Sequence, residues 1–153
     1  MTRQNLFADV PWDAELPDWG IRRRVFWRPE GAMMGATLQE LAPGSVGGRL
    51  HMHYGAEELF FVVSGRPVLR TGETEEQLEP GDFVSCPEGR AGLHVFSNPH
   101  PVPARVLGVS AGRFPDVVAY PEAGYAWVAT RDPDLVPDSD PGIIVRFELP
   151  PEG

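Results

Sequence analysis

Glycine and proline interrupt this chain too often for long helices to survive. There are 17 of each among 153 residues, one every four or five positions on average. Proline breaks the helical hydrogen-bond ladder, and glycine in a helix interior costs about 1 kcal/mol against alanine. Short strands joined by tight turns accommodate both residues, so the punctuation selects a β-rich chain before any motif is weighed.

The runs between the breaks carry strand formers. Residues 24–27, 35–41, 49–53 and 59–63 read as strands, separated by the turn signals Pro29-Glu30-Gly31, Pro43-Gly44 and Ser64-Gly65. Residues 67–71 and 76–78 flank Gly72-Glu73-Thr74-Glu75 as a hairpin, and strands 83–86, 93–96 and 105–110 follow. About eight short strands at near-even spacing predict a closed antiparallel barrel or jelly roll. The length suits one domain, 1–153, without a linker. The first twenty residues, with Trp12 and Trp19 among prolines, read as a packed arm. Beyond Ser110, the apolar runs 117–120, 125–128 and 143–147 are expected to pack on the barrel or on a second subunit. The Asp/Pro-rich stretch 132–142 reads as a solvated loop. It lacks the alternating ligands and bidentate glutamate of a calcium-binding EF-hand loop.

Chemistry concentrates in the run from His51 to Gly65. Side chains alternate in an extended strand, so His51 and His53 project to one side with Met52 opposite. With the glutamates that follow, the run reads as three metal ligands on a β-scaffold. A lone His-x-His more often packs or pairs with a carboxylate, so its company decides its meaning. Arg49 shares the histidines' face and either offers a guanidinium to an anionic substrate or ends the strand in solvent; Arg70 has the same two readings. Cys86 reads as a small buried core residue, and His100, between Pro99 and Pro101, as a surface loop residue.

These residues resemble the two motifs of the cupin superfamily. His51, His53, Glu58 and Gly65 match the first, with four residues between His53 and Glu58 and six between Glu58 and Gly65. The leading Gly44 stands one residue too far upstream. Gly81, Pro87, Gly89, His94 and Asn98 match the second, with four residues rather than two between Gly89 and His94. That extra pair should lengthen a loop without moving His94 off its strand. The spacing to Gly65 favours Glu58 over Glu57 as the ligand; alternation then puts Phe60 and Val62 inside and Glu57 outside. Phe96 shares a face with His94.

The resemblance implies an all-β double-stranded β-helix, the cupin or jelly-roll barrel, with a motif core over 44–110, an N-terminal arm over 1–33 and a C-terminal extension over 111–153. It also implies one divalent transition metal (Zn, Ni, Fe or Mn) held by His51, His53, Glu58 and His94. The donor types agree, since imidazole with one carboxylate suits these ions and leaves coordination positions open for a substrate.

Composition narrows the partners. A net charge of −9 opposes nucleic acid and anionic membranes, and Arg22-Arg23-Arg24 is too short to reverse it. All 13 basic residues are arginine, which excludes a lysine Schiff base or lysine general base. Cys86 is the lone cysteine and no apolar leader or membrane span is evident, so a cytoplasmic setting is expected. The expected function is that of a metal-dependent enzyme on a small polar metabolite, by isomerase, oxygenase or lyase chemistry. The alternative is a non-catalytic ligand-binding or sensing module; a purely structural role fits an intact ligand set least. No residue of the motifs stands out as a general acid or base. Trp12, Trp19, Phe26 and Trp27 lead to the expectation of a homodimer.

Overall fold

Apolar and polar residues alternate along these segments, and the alternation builds two facing β layers with the core between them. The structure is a computed structural model and describes residues 3–27, 32–130 and 142–150. Its strands are β1 (Ala14–Leu16), β2 (Ile21–Trp27), β3 (Met34–Leu41), β4 (Met52–His53), β5 (Ala56–Ser64), β6 (Val68–Thr71) and β7 (Thr74–Gln77). Then come β8 (Phe83–Cys86), β9 (Val95–Ser97), β10 (Ala104–Gly112), β11 (Asp116–Tyr120), β12 (Tyr125–Ala129) and β13 (Ile143–Glu148). Helical structure among the described residues is confined to single 3-10 turns, such as Pro17–Trp19 and Gly89–Gly92.

One layer is a six-stranded antiparallel sheet in the order β1-β2-β3-β10-β5-β8. The other combines two smaller sheets, β13-β12-β11-β4 and β7-β6-β9. His51 and His94 join them: each backbone N–H donates to the other's carbonyl, at 3.1 and 2.9 Å. Asn98 locks the same region from below, its buried amide donating to the carbonyls of Leu41, Ala42 and Val102. The main core sits between the layers, where Ile21, Leu41, Phe60, Val62 and Val106 of the large sheet meet Leu69 and Phe96 of the other. Phe60 and Val62 point inward and Glu57 outward, as alternation from Glu58 requires.

Several expected strands shift in extent. β8 keeps its expected residues, whereas the expected strand 49–53 contracts to β4. Gly47 and Gly48 just upstream have φ of 68° and 122°, so the chain turns there instead of extending. The hairpin is tighter than expected, with Thr71 opposite Thr74 around Gly72-Glu73. The arm contains β1, three residues too few and too mixed to show a period. The C-terminal runs join the barrel: β11 pairs with β4, placing Val118 opposite His53, and so extends the second layer, while Val145 and Phe147 of the outermost β13 stay exposed. The turn Pro29-Glu30-Gly31 and nearly all of the Asp/Pro-rich loop lie outside the described residues.

The tryptophans also find intramolecular roles. Trp12 covers the outer face of the large sheet, with the guanidiniums of Arg22 and Arg24 each 4.9 Å from its ring centroid and that of Arg105 at 5.8 Å. Arg22 and Arg105 both bond Glu40, which is buried there. Trp19 packs against the main core. Of the four aromatics behind the dimer expectation, Trp27 is the exposed one.

Candidate metal centre

The centre draws on both layers: His53 lies on β4 and Glu58 on β5, while His51 and His94 form an isolated bridge just ahead of β4 and β9. His51 and His53 flank Met52, so both imidazoles face inward while Met52 enters a separate apolar cluster with Ala119 and Ala126. Glu58 arrives from β5 in the opposite layer. His94 follows the turn Gly89–Gly92. The turn needs glycine at its end, because a Cβ on Gly92 would lie 1.8 Å from the Pro87 carbonyl oxygen. The two residues added to the second motif fall within this segment, and His94 still reaches its bridge with His51.

One donor atom each from His51, His53 and Glu58 lie within 4.8 Å of one another. Glu58 Oε2 is 3.4 Å from Nε2 of His53 and 3.4 Å from Nε2 of His94. The His94 ring centroid is 4.5 Å from that of His51. The structure therefore groups His51, His53 and Glu58 tightly, with His94 beside them through its approaches to Glu58 and to the His51 ring.

Each imidazole is also fixed from behind. Nδ1 of His51 is 2.9 Å from the Arg49 carbonyl, Nδ1 of His94 is 2.8 Å from the Gly92 carbonyl, and Nδ1 of His53 is 2.6 Å from Asp116 Oδ2. A carbonyl or carboxylate can only accept, so each Nδ1 carries a proton, and the Nε2 atoms of His53 and His94 face Glu58. Asp116 is itself held, accepting from Gly55 N–H at 2.7 Å. Glu58 Oε2 is buried and has no hydrogen-bond donor. A buried carboxylate oxygen without a donor, beside two imidazole nitrogens, is a costly arrangement that a cation would relieve. The donor set thus fits a divalent transition metal.

Burial acts on all three rings, with different results. Burial, with the neighbouring His94 and His53, pushes His51 down to about 3. Burial lowers His94 too, against the opposing pull of Glu58. Burial would also lower His53, but the Asp116 hydrogen bond and the Glu58 charge outweigh it and raise the ring's pKa. Asp116 is held below its ordinary value because its bond to His53, with the other contacts, exceeds the cost of burial.

The cluster opens into a cavity of about 380 Å³. Phe60 and Phe96 give it an apolar wall, while Thr37, Gln39 and Ser110 bring hydrogen-bonding groups. Asp13 from the arm also lines it, its carboxylate accepting from Val25 N–H at 2.7 Å.

Other singled-out residues lie elsewhere. Arg70 makes a bidentate pair with Glu122, at 2.7 and 2.8 Å, the structural one of its two readings. Cys86 is buried in the core, and burial pushes its thiol up to about 12, far from a reactive thiolate. His100 lies outside the cavity lining. Asp116, in contrast, was not singled out by sequence reasoning. It is 63 residues from His53, and no spacing rule connects them.

Residues 37–110 match the family model for the cupin domain. A search of the curated proteins finds no match. Among solved structures, a sugar phosphate isomerase of the cupin superfamily from Silicibacter pomeroyi is 25% identical, with a TM-score of 0.68, over 81% of this chain and 80% of that one. A candidate sugar phosphate isomerase from Acidithiobacillus ferrooxidans is 24% identical, with a TM-score of 0.69, over 78% and 80%. The TT1209 protein of Thermus thermophilus is 27% identical, with a TM-score of 0.61, over 74% and 99%. The family match spans all four of these side chains, and the similar structures share the layered β fold: residues 37–110 are those of a cupin domain.

Proposed function

We propose that this chain is a metal-dependent cupin enzyme acting on a small polar metabolite, with His51, His53, Glu58 and His94 as the ligands of one divalent transition metal. The observation that carries the reading is the convergence of oriented Nε2 atoms on a buried Glu58 oxygen that has no hydrogen-bond donor. A bound metal would supply Lewis-acid polarisation of a substrate oxygen. The protein's own contribution is orientation and exclusion of water. Thr37, Gln39 and Ser110 can hold the hydroxyls or carbonyls of a ligand against the apolar wall of Phe60 and Phe96. The cavity volume suits a small metabolite. Isomerase, oxygenase and lyase chemistry all fit such a centre; the similarity to the Silicibacter pomeroyi sugar phosphate isomerase puts isomerisation first among the assays.

A second reading, a non-catalytic binding or sensing module, is favoured by that same wall. Thr37, Gln39 and Ser110 do not exchange protons near neutral pH, so general acid–base work would fall to the ligand cluster or to Asp13. Turnover of a metabolite panel, with oxygen uptake followed in parallel, separates the readings; saturable binding without turnover selects the second.

The metal assignment has its own test. Elemental analysis of the purified protein should find close to one transition-metal equivalent per chain, lost in His51→Ala and His94→Ala. A protein without metal that takes up no added Mn, Fe, Ni or Zn would sink it. We place the protein in the cytoplasm as one domain and as a homodimer. The pairing is supported by the exposed Leu59, Phe61 and Phe83 on the outer face of β5 and β8. Sedimentation as a monomer would remove the dimer.

A further inference from the structure

Beyond His51 lies a second chamber of about 400 Å³. It shares Arg23 and His51 with the metal-site cavity, so those two side chains stand between the spaces. Arginines 23, 49 and 146, all partly open to solvent, line it, and among the described residues no carboxylate does. In a chain of net charge −9, that is a local reversal of sign.

The guanidiniums are set among aromatic rings. Arg49 lies 5.5 Å from the Trp19 centroid and 5.6 Å from that of Tyr125, and it donates to the Tyr125 hydroxyl at 2.7 Å. Arg146 lies 5.0 Å from the Trp127 centroid. Neutral partners hold the Arg49 fork in position without cancelling its charge, which suits recognition of a planar or tetrahedral anion.

The chamber also has a stacking wall. His51 stacks on Tyr120 at 5.6 Å and 21°, and Tyr120 on Tyr125 at 5.0 Å and 26°. This column runs from the metal centre into the arginine-lined space. Gly48 leaves part of the lining bare, since a Cβ there would meet nothing within 4 Å.

We propose that this chamber is an anion subsite that takes the carboxylate or phosphate of a small ring-bearing metabolite whose other end reaches the metal-site cavity past His51. The inference rests on reading that cavity as the ligand site, but its test does not depend on the metal. Calorimetric titrations of the purified protein with glucose 6-phosphate, glucuronate, inorganic phosphate and uncharged glucose read the chamber directly. At least one anion should bind saturably and glucose should not; the phosphate and carboxylate arms identify the preferred head group. Arg49→Gln and Arg146→Gln should each weaken the anion about tenfold or more, the loss of one charge-assisted contact. Arg49→Lys should fall between them and wild type. Arg66→Gln, which removes a guanidinium paired with Glu79 on the surface, should leave binding unchanged. Elemental analysis of the same samples scores the metal independently, so a metal-free protein that still binds the anion would sink the metal reading and keep the subsite. No binding of any anion, glucose binding as well as the anions, or equal losses in the Arg66 and Arg49 variants would overturn it.

Discussion

At the scale of single residues, Asp116 governs how His53 presents itself. Its carboxylate fixes the Nδ1 proton and makes the opposite nitrogen a better donor to a cation. Asp116→Asn removes the charge while keeping an acceptor of similar shape. Metal retention against a competing chelator should fall by about 10- to 100-fold, with the circular dichroism spectrum unchanged. Unaltered retention would reduce Asp116 to a tether for the Gly55 turn. The sequence shows this level unevenly. His51 and His53 are near neighbours along the chain, so strand alternation alone groups them, whereas the choice of Glu58 over Glu57 needs the family spacing to Gly65. His94 came from the family motif. Asp116 depends on the β11–β4 pairing, a long-range contact that no local pattern encodes. Arg49 was legible as an inward candidate, whereas its company with Arg23 and Arg146 arises only when β2 and β13 converge on one chamber.

At the scale of elements, the legible strands are those with an apolar alternation bounded by turn residues, as at β8 and β10. β1 and β4 escaped that logic because neighbouring strands, not their own composition, define them. Gly47 illustrates how a non-strand residue sets strand position. It has a φ of 68°, and a Cβ there would sit 1.5 Å from the Phe96 carbonyl oxygen, so the loop can reach β9 only as glycine. Gly44 has a φ of 72° with nothing within 4 Å of its would-be Cβ. Chemical denaturation should separate the two. Gly44→Ala should cost about 1 kcal/mol of backbone strain, and Gly47→Ala distinctly more because β9 must move. Equal losses would mean the loop relaxes without disturbing the strand that follows His94.

At the scale of the whole molecule, the large sheet is continuous, but the facing layer is two sheets that meet at one seam. The C-terminal strands belong to one side of that seam and the β6–β7 hairpin to the other. The side chains that reach the metal centre and the backbones that close the seam belong to the same residues, His51 and His94. Ion capture at this site would therefore act on the same two residues that close the seam. An ion shared by these imidazoles would act as a rivet across the seam, and stripping it would let the halves breathe apart. Hydrogen exchange should register this directly: the amide protons of His51 and His94 should exchange more slowly in metal-loaded protein than after chelation, while amides at the centre of β10 change little. Uniform slowing across both layers would assign the ion a global stabilising effect and leave the seam without a special part.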